Sequence, residues 1–352
     1  MGNIPAKDYL ETLILDLQSH ENDLQYRQFS SVFLGGGTPS LFPTKELSKL
    51  FQYLFDHKKI ADHAEITIEV NPGTIEHGKF SDYKNIGVNR ISLGAQSFQD
   101  DKLNALGRVH NTQNIYHAVD KLLNADFTNF NIDIMHGLPN QSVKDALFDL
   151  YKAFSLNPTH LSWYQLTIEA NTRFAVQPPK LPNEDILFEI EQQGKALISA
   201  SGLHQYETSA YCKASNKYYA KHNLNYWRFG DYIGIGAGAH SKITIPKKNL
   251  IYRYWKRKNP KIYMIEKSFP YGTNNINVTE RPYEFMLNAL RLQKGFSIKQ
   301  FEQTTGLSIA TIKQPIELAI KRGLLTQQIN QFIPTELGHR FLNDMLQIFL
   351  PE

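Results

Sequence analysis

Polar and glycine residues stand at the ends of five short apolar runs. They are Gly35, Gly36 and Gly37 in FLGGGTPSLF (33–42), Glu69 in EITIEVNPG (65–73), Gln96 in VNRISLGAQSF (88–98), Asp133 and Gly137 in NFNIDIMHGLP (129–139), and Gln165 in HLSWYQLTIE (160–169). Carboxylates and carboxamides placed this way can hydrogen-bond a charged or hydroxylated small molecule, and bare glycine backbone lets such a molecule approach to contact distance. A glycine run behind an apolar run is also what a tight turn needs, so the run alone leaves ligand and turn both open. Taken singly, Glu69 and Asp133 read equally as strand-end carboxylates satisfied by neighbouring amides, and Arg108 in LGRVH as a surface helix residue. Together these polar positions outnumber what turns alone require.

The elements that would carry them alternate. AKDYLETLILDLQSH (6–20) and TKELSKLFQYLFDHKK (44–59) have helical spacing, and a helical segment separates each apolar run from the next. Strands alternating with helices imply parallel pairing in a sheet wrapped by helices, an α/β fold. In barrel-like α/β folds the carboxyl ends of the strands form the active face, which is where these polar groups fall.

Composition narrows the class. A chain of 352 residues and 40.4 kDa can bury one large core and a smaller one, and 41% hydrophobic with 20% charged residues is ordinary globular composition. The net charge of +4 predicts no strong nucleic-acid field, and the local basic patch RYWKRKNPK (253–261) reads as a solvated loop. No apolar run is long enough to span a bilayer, MGNIPAKDYL has no hydrophobic signal core, and Ala6 stands where a myristoylation signal carries Ser or Thr. The expectation is a cytoplasmic protein. One cysteine, Cys212, excludes an internal disulfide and a cysteine cluster within this chain.

With GGGTPS, GVNRISLGAQSF, HGLPNQS, LSWYQLTIEANT and YETSAY in this order, the chain resembles the radical S-adenosylmethionine (SAM) superfamily over essentially its whole length. The resemblance is to the oxygen-independent coproporphyrinogen dehydrogenase group and its relatives, the HemW-type heme chaperones. It implies a partial (β/α) barrel in which Gly36, Gly37 and Thr38 cradle the methionine end of SAM. By the same resemblance Glu69 and Gln96 hydrogen-bond its polar groups, Arg108 pairs with its carboxylate, and Asp133 lies further round.

HNLNYW (222–227) is similar to an H-N-x-x-Y-W motif of the chaperones that the dehydrogenases lack. On that resemblance His222, Asn223, Tyr226 and Trp227 are heme-site residues, with His240 in GIGAGAH a second iron ligand candidate. An imidazole can ligate iron and flat aromatic rings can cover a porphyrin face. A His-Asn pair beside aromatics is also a common hydrogen-bonded core corner, and FGDYIGIGAGAHS (229–241) suits either a ligand loop or close strand packing. From about Pro282 the pattern changes to helices with a short strand, QFIPT, and a terminal helix ELGHRFLNDMLQIFL, resembling a winged-helix module bridged by NNINVTE (274–280). Its would-be recognition helix mixes Glu317 with Lys313, Lys321 and Arg322, which favours a packing or lid role without nucleic acid. The expected division is therefore 1–215 for the barrel core, 216–281 for the heme-motif and connecting region, and 282–352 for the winged-helix-like domain.

One departure matters for chemistry. The superfamily holds a [4Fe-4S] cluster on a C-x-x-x-C-x-x-C loop after its first strand, and this sequence has only Cys212, far downstream. AKDYLETLILDL looks like the helix that follows that loop, so the expectation is an N-terminally truncated barrel without cluster ligands and without radical catalysis. Three readings follow. One is a chaperone that binds heme and SAM and passes heme to respiratory proteins, touching membrane proteins peripherally. The others are a coproporphyrinogen III dehydrogenase-like enzyme of porphyrin biosynthesis and an inactive remnant; HNLNYW favours the first. The acceptor of the heme and the oligomeric state stay open.

Overall fold

The computed structural model describes residues 5–25, 27–37, 39–57, 59–74, 79–214, 216–267 and 269–351. The chain divides into two compact units. One comprises Ser31–Thr44 and Ala64–Tyr219, the other Met1–Ser30, Lys45–His63 and Ala220–Glu352.

The first unit is built on a curled half-barrel sheet. Its strands are β1 (Phe29–Leu34), β2 (Ile60–Val70), β3 (Arg90–Gln96), β4 (Phe130–His136), β5 (His160–Gln165), β6 (Leu203–Glu207) and β7 (Ala210–Lys213). They lie in the order β1-β2-β3-β4-β5-β7-β6. All five apolar runs form strands, and β2 through β5 pair in parallel as the alternation with helices requires. Strands β6 and β7 add an antiparallel hairpin that the helical spacing did not announce. YETSAY holds too few residues to show a period, so pairing with β5 decides its conformation.

The sheet has two chemically different faces. Register places Glu69 opposite Ser92 and Ser92 opposite Asn131, with Gly94 opposite Asp133 and Asp133 opposite Ser162. Because side chains alternate along a strand, one face carries Glu65, Thr67, Glu69, Arg90, Ser92, Asn131, Asp133, His160, Ser162 and Tyr164. The other face carries Ile66, Ile68, Ile91, Leu93, Ile132, Ile134 and Leu161, all at most 3% exposed. Parallel sheets usually read as continuous apolar runs because both faces are covered by apolar layers. Here the strands alternate, so one face of the sheet is polar and the other apolar.

The second unit contains a three-stranded antiparallel sheet of β8 (His240–Ile245), β9 (Leu250–Trp255) and β10 (Gly272–Asn275), with β9 central. A second small sheet, β11 (Phe296–Ser297), β12 (Leu325–Gln328) and β13 (Gln331–Pro334), packs with the helices Arg281–Ala289, Ile298–Thr305 and Lys313–Lys321. The C-terminal region thus has helices and a small sheet as expected, but QFIPT is the middle strand of three. The terminal helix is two, Glu336–Arg340 and Leu342–Gln347, broken at Phe341. A single buried cluster joins Phe285, Phe296, Phe301 and Phe332 to Phe229 and Ile251. Phe285 meets Phe296 and Phe301 edge to face, at 5.1 Å and 5.2 Å.

Two expectations change. The polar bridge NNINVTE begins inside β10, where Asn274 and Asn275 pair with Arg253 and Tyr252. An edge strand exposed on both sides tolerates asparagines that composition assigns to loops. The basic patch RYWKRKNPK is not a solvated loop throughout, because Arg253 to Trp255 lie on β9 and the Lys256 side chain is fully buried against Asp16. Asp16 comes from the buried face of the helix Ala6–Gln18, so long-range pairing overrides the local charge pattern.

Candidate functional site

The glycine run divides its labour. A Cβ on Gly35 would stand 2.5 Å from Phe33 Cε1 and 3.0 Å from the Glu69 carboxyl, so the absent side chain lets that carboxylate lie against the backbone. Gly36 and Gly37 instead adopt φ of +75° and +99° with open space around them, a conformation in which any other L-residue is strained. The Gly36 N–H donates to Glu69 Oε2 at 3.3 Å. The turn at the end of β1 is thereby tied to the end of β2. Thr38 lies outside the described residues.

Gln96 closes β3 in an unusual way. It holds a φ of +68°, in the left-handed region that favours glycine, and the register against β4 shifts between Gly94 and Gln96. Such a bulge re-aims a side chain, and strained backbone at a strand end is characteristic of functional sites. Gly94 makes room for it, since a Cβ there would lie 3.0 Å from Gln96 Nε2. The Tyr164 hydroxyl donates to Gln96 Oε1 at 2.9 Å. His110, 3% exposed, anchors the preceding residue through Nε2, 3.1 Å from the Ala95 carbonyl oxygen. Burial lowers the His110 pKa, which favours the neutral ring.

Asp133 accepts from Ser92 Oγ at 3.0 Å and from Asn131 Nδ2 at 2.7 Å. Burial nevertheless raises its carboxyl above the ordinary range, outweighing Ser162, Asn131 and Ser92. Burial also raises Glu69, and the Asp133 charge adds to that rise, so the two carboxylates share one electrostatic environment. Tyr164 is raised by burial and feels the charges of Asp133, Arg108 and Glu69. Arg108 is exposed on the turn that follows the helix Asp100–Ala105, its N–H donating to the Leu103 carbonyl. The structure therefore places Gly36, Gly37, Glu69 and Gln96 at the carboxyl ends of β1, β2 and β3, Asp133 midway along β4, and Arg108 on the turn after the helix Asp100–Ala105. It adds Tyr164, His110, Ser92 and Asn131, which a reading confined to strand ends passes over. The polar-apolar alternation within RISLG, NIDI and HLSWY is the signal that marks most of them.

The second group of residues lies in the other unit. His222, Asn223, Tyr226 and Trp227 occupy the helix Lys221–Trp227. The His222 ring meets Tyr226 edge to face at 4.7 Å, and Tyr226 meets Tyr232 in the same way at 4.6 Å. Burial raises Tyr226 to about 12. The Trp227 ring is covered by the Arg291 guanidinium at 4.3 Å. Its Nε1 is buried and has no hydrogen-bond partner among the described residues. His240 is exposed at the start of β8, stacked on Trp255 at 6.3 Å. His222 and His240 thus rest on different aromatic partners.

The glycine-rich stretch before His240 resolves to close packing. The Gly236 N–H donates to Asp16 Oδ2 at 3.2 Å and to the Tyr263 hydroxyl at 3.2 Å. The Ala237 N–H donates to Tyr9 Oη at 3.0 Å, and that of Gly238 to the Arg257 carbonyl at 2.7 Å. These consecutive donors are already satisfied within the protein, leaving no nest of N–H groups for an anion.

Cofactor fit follows from these groups. The open glycine turn with two adjacent carboxylates suits a ligand that bears an ammonium group and hydroxyls, as SAM does. Cys212 is the one cysteine of this sequence, buried on β7 with burial raising the thiol to about 11, and no group of three or more potential metal ligands occurs among the described residues.

A curled α/β half barrel with a glycine turn and carboxylates at its strand ends, followed by helices and a small sheet, defines a radical SAM-type protein. Residues 18–150 match the Radical SAM superfamily and residues 276–341 the HemN C-terminal domain. The solved structure of coproporphyrinogen III oxidase (HemN) from Escherichia coli superposes with a TM-score of 0.79 over 98% of this chain and 83% of that one. At 20% identity this likeness shows the fold alone. The heme chaperone HemW of Haemophilus influenzae is 45% identical over 100% of this chain and 92% of its own length, and that of Escherichia coli K12 44% identical over the same shares. HemW of Bacillus subtilis is 31% identical over 99% of this chain and 92% of its length. This chain belongs to the HemW family.

Proposed function

We propose that the chain binds heme and SAM and passes heme to respiratory proteins. The observation that carries this reading is identity of 45% across the whole chain to a relative named as a heme chaperone. The likeness to the coproporphyrinogen oxidase extends to fold only, so the dehydrogenase reading is not favoured. In the proposed assignment Gly36, Gly37, Glu69, Gln96, Arg108 and Asp133 hold SAM, with Thr38 beside them. His222 or His240 ligates the heme iron, and Asn223, Tyr226 and Trp227 border the porphyrin. The half-buried imidazole of His222 against Tyr226 supports the first choice. The [4Fe-4S] cluster of the family would, when bound, supply an electron to the sulfonium of SAM. We assign residues 1–215 to the barrel core, 216–281 to the heme region and 282–352 to a packing or lid module. The protein is assigned to the cytoplasm; among the described residues no helix is long and apolar enough to cross a membrane.

Heme titration of the full chain tests the reading, with His222→Ala and His240→Ala compared by Soret spectrum and circular dichroism. A shifted Soret band in one folded variant identifies the ligand. Unchanged spectra and affinity in both would remove histidine ligation from this region, and a wild type that binds no heme would remove the function.

A further inference from the structure

Behind Asp133 the polar face of the sheet carries a continuous hydrogen-bond chain. Asn131 Nδ2 lies 2.7 Å from Asp133 Oδ1 and 2.8 Å from Ser92 Oγ, and Ser92 Oγ lies 3.0 Å from Asp133 Oδ2. Asn131 Oδ1 lies 2.6 Å from His160 Nδ1 and 3.1 Å from Ser162 Oγ. His160 Nε2 lies 2.8 Å from the Tyr206 hydroxyl, and the Tyr206 ring stacks on Tyr219 at 4.5 Å. Asn131, His160 and Tyr206 are 2%, 1% and 4% exposed.

With Asp133 ionised, the chemistry of the members fixes the direction of every bond. A carboxylate only accepts, so the amide nitrogen of Asn131 must face Asp133 and its carbonyl must face His160. The carbonyl then requires a proton on His160 Nδ1. Burial, with Arg90 nearby, keeps that ring neutral, which leaves Nε2 as the acceptor of the Tyr206 O–H. Ser92, already accepting from Asn131, gives its own proton to the second oxygen of Asp133. Reversing the Asn131 amide would set its carbonyl against the carboxylate at one end and its NH2 against the protonated His160 Nδ1 at the other. Three buried groups thus hold the Asp133 carboxylate, midway along β4, in a single orientation.

We propose that Tyr206, His160 and Asn131 are positioning residues for Asp133, setting how tightly the strand-end site holds SAM although His160 and Tyr206 lie at the far end of the chain from the carboxylate. The proposal rests on the SAM reading given above. It deepens that reading by naming residues, drawn from β4, β5 and β6, that a list of ligand contacts would omit.

Two measurements on the full chain test it. The first is calorimetric titration of SAM into the wild type, Asp133→Asn, His160→Leu, His160→Gln and the double variant Asp133→Asn with His160→Leu, each checked by circular dichroism. A folded His160→Leu should bind about tenfold more weakly, since it removes the shorter of the two donors to the Asn131 carbonyl and leaves only Ser162 Oγ. His160→Gln, whose amide can donate to that carbonyl, should recover most of the loss. The leucine change should add little in the Asp133→Asn background, because residues acting through one group are not additive. Wild-type affinity in His160→Leu, no recovery in His160→Gln, or full additivity in the double variant would each overturn the proposal.

The second measurement does not involve SAM. Nitrogen-15 histidine spectra of the wild type should show His160 neutral with Nδ1 protonated, and its shifts should move in Asp133→Asn. A chain that binds no SAM yet shows this tautomer and this response would defeat the ligand assignment and leave the positioning of Asp133 standing. A proton on Nε2, or no response to Asp133→Asn, would defeat the positioning chain whatever SAM does. If His160→Leu does not fold, His160→Gln and these spectra decide alone.

Discussion

Asp16 and Lys256 form an ion pair in which neither side chain is exposed to solvent. Asp16 Oδ2 also accepts from the Tyr263 hydroxyl at 2.7 Å and from the Gly236 N–H, while His20 Nε2 lies 2.8 Å from Lys256 Nζ. One carboxylate thereby joins the helix Ala6–Gln18, β9 and the glycine stretch that precedes His240.

Removing one member of this pair should be costly. Asp16→Asn or Lys256→Met leaves a buried charge without its partner, for which a loss of about 3 to 5 kcal/mol is expected. Changing both together should cost less than the sum of the two. Denaturant melts of the three variants check this, and a single variant within about 1 kcal/mol of wild type would show that the pair is not a stabilising contact.

The same group gives an acid limit to stability. Burial pushes the Asp16 carboxyl up, but hydrogen bonds from His20 and Lys256 outweigh it and leave the folded-state pKa below the ordinary value. A depressed acid contributes stability that is present above its unfolded pKa of about 4 and is lost as pH falls through the folded value. Melting temperature against pH should therefore fall below about pH 4, and that part of the fall should be missing in Asp16→Asn.

Glu69 should behave in the opposite sense. Burial, then the charge of Asp133, raises its folded pKa, so the protein loses stability as pH rises from the unfolded pKa to the folded one. Glu69→Gln should raise the melting temperature at pH 7 and weaken SAM binding by about tenfold, near 1.4 kcal/mol. Lower stability in Glu69→Gln would contradict the electrostatic account of the strand-end site.

The glycine turn separates sterics from conformation. Gly36→Ala meets no atom within 4 Å, and its expected cost of about 1 kcal/mol comes from the backbone angle alone. Gly35→Ala should cost more, because the new methyl group meets Phe33 and the Glu69 carboxyl. Thermal melts of the two variants should rank in that order.

Trp227→Phe should be close to neutral. The change removes a buried N–H that has no partner among the described residues, which offsets the lost ring volume, and it keeps an aromatic face for Arg291. A stability change under about 1 kcal/mol with an unaltered heme spectrum would place Trp227 in the packing of the helix Lys221–Trp227. A changed Soret band would place it against the porphyrin.

The sequence by itself determined the five strands that alternate with helices, the glycine turn and the polar residues the strands carry. Each is encoded within a dozen neighbouring residues, as apolar runs bounded by breakers. HNLNYW was legible as a motif, and its helix forms where the motif lies. The hairpin β6-β7 was not legible, because YETSAY is too short to show a period and takes its conformation from pairing with β5. Tertiary structure alone decided what the polar residues inside the strands do. Ser92, Asn131, His160 and Tyr206 are separated by up to 114 positions in sequence, and register sets them side by side on one face. The same holds for Lys256, which reads as a surface charge until a helix some 240 residues away supplies Asp16. Local pattern fixes which face a side chain takes, whereas the partner it meets there depends on which strands and helices the fold brings together.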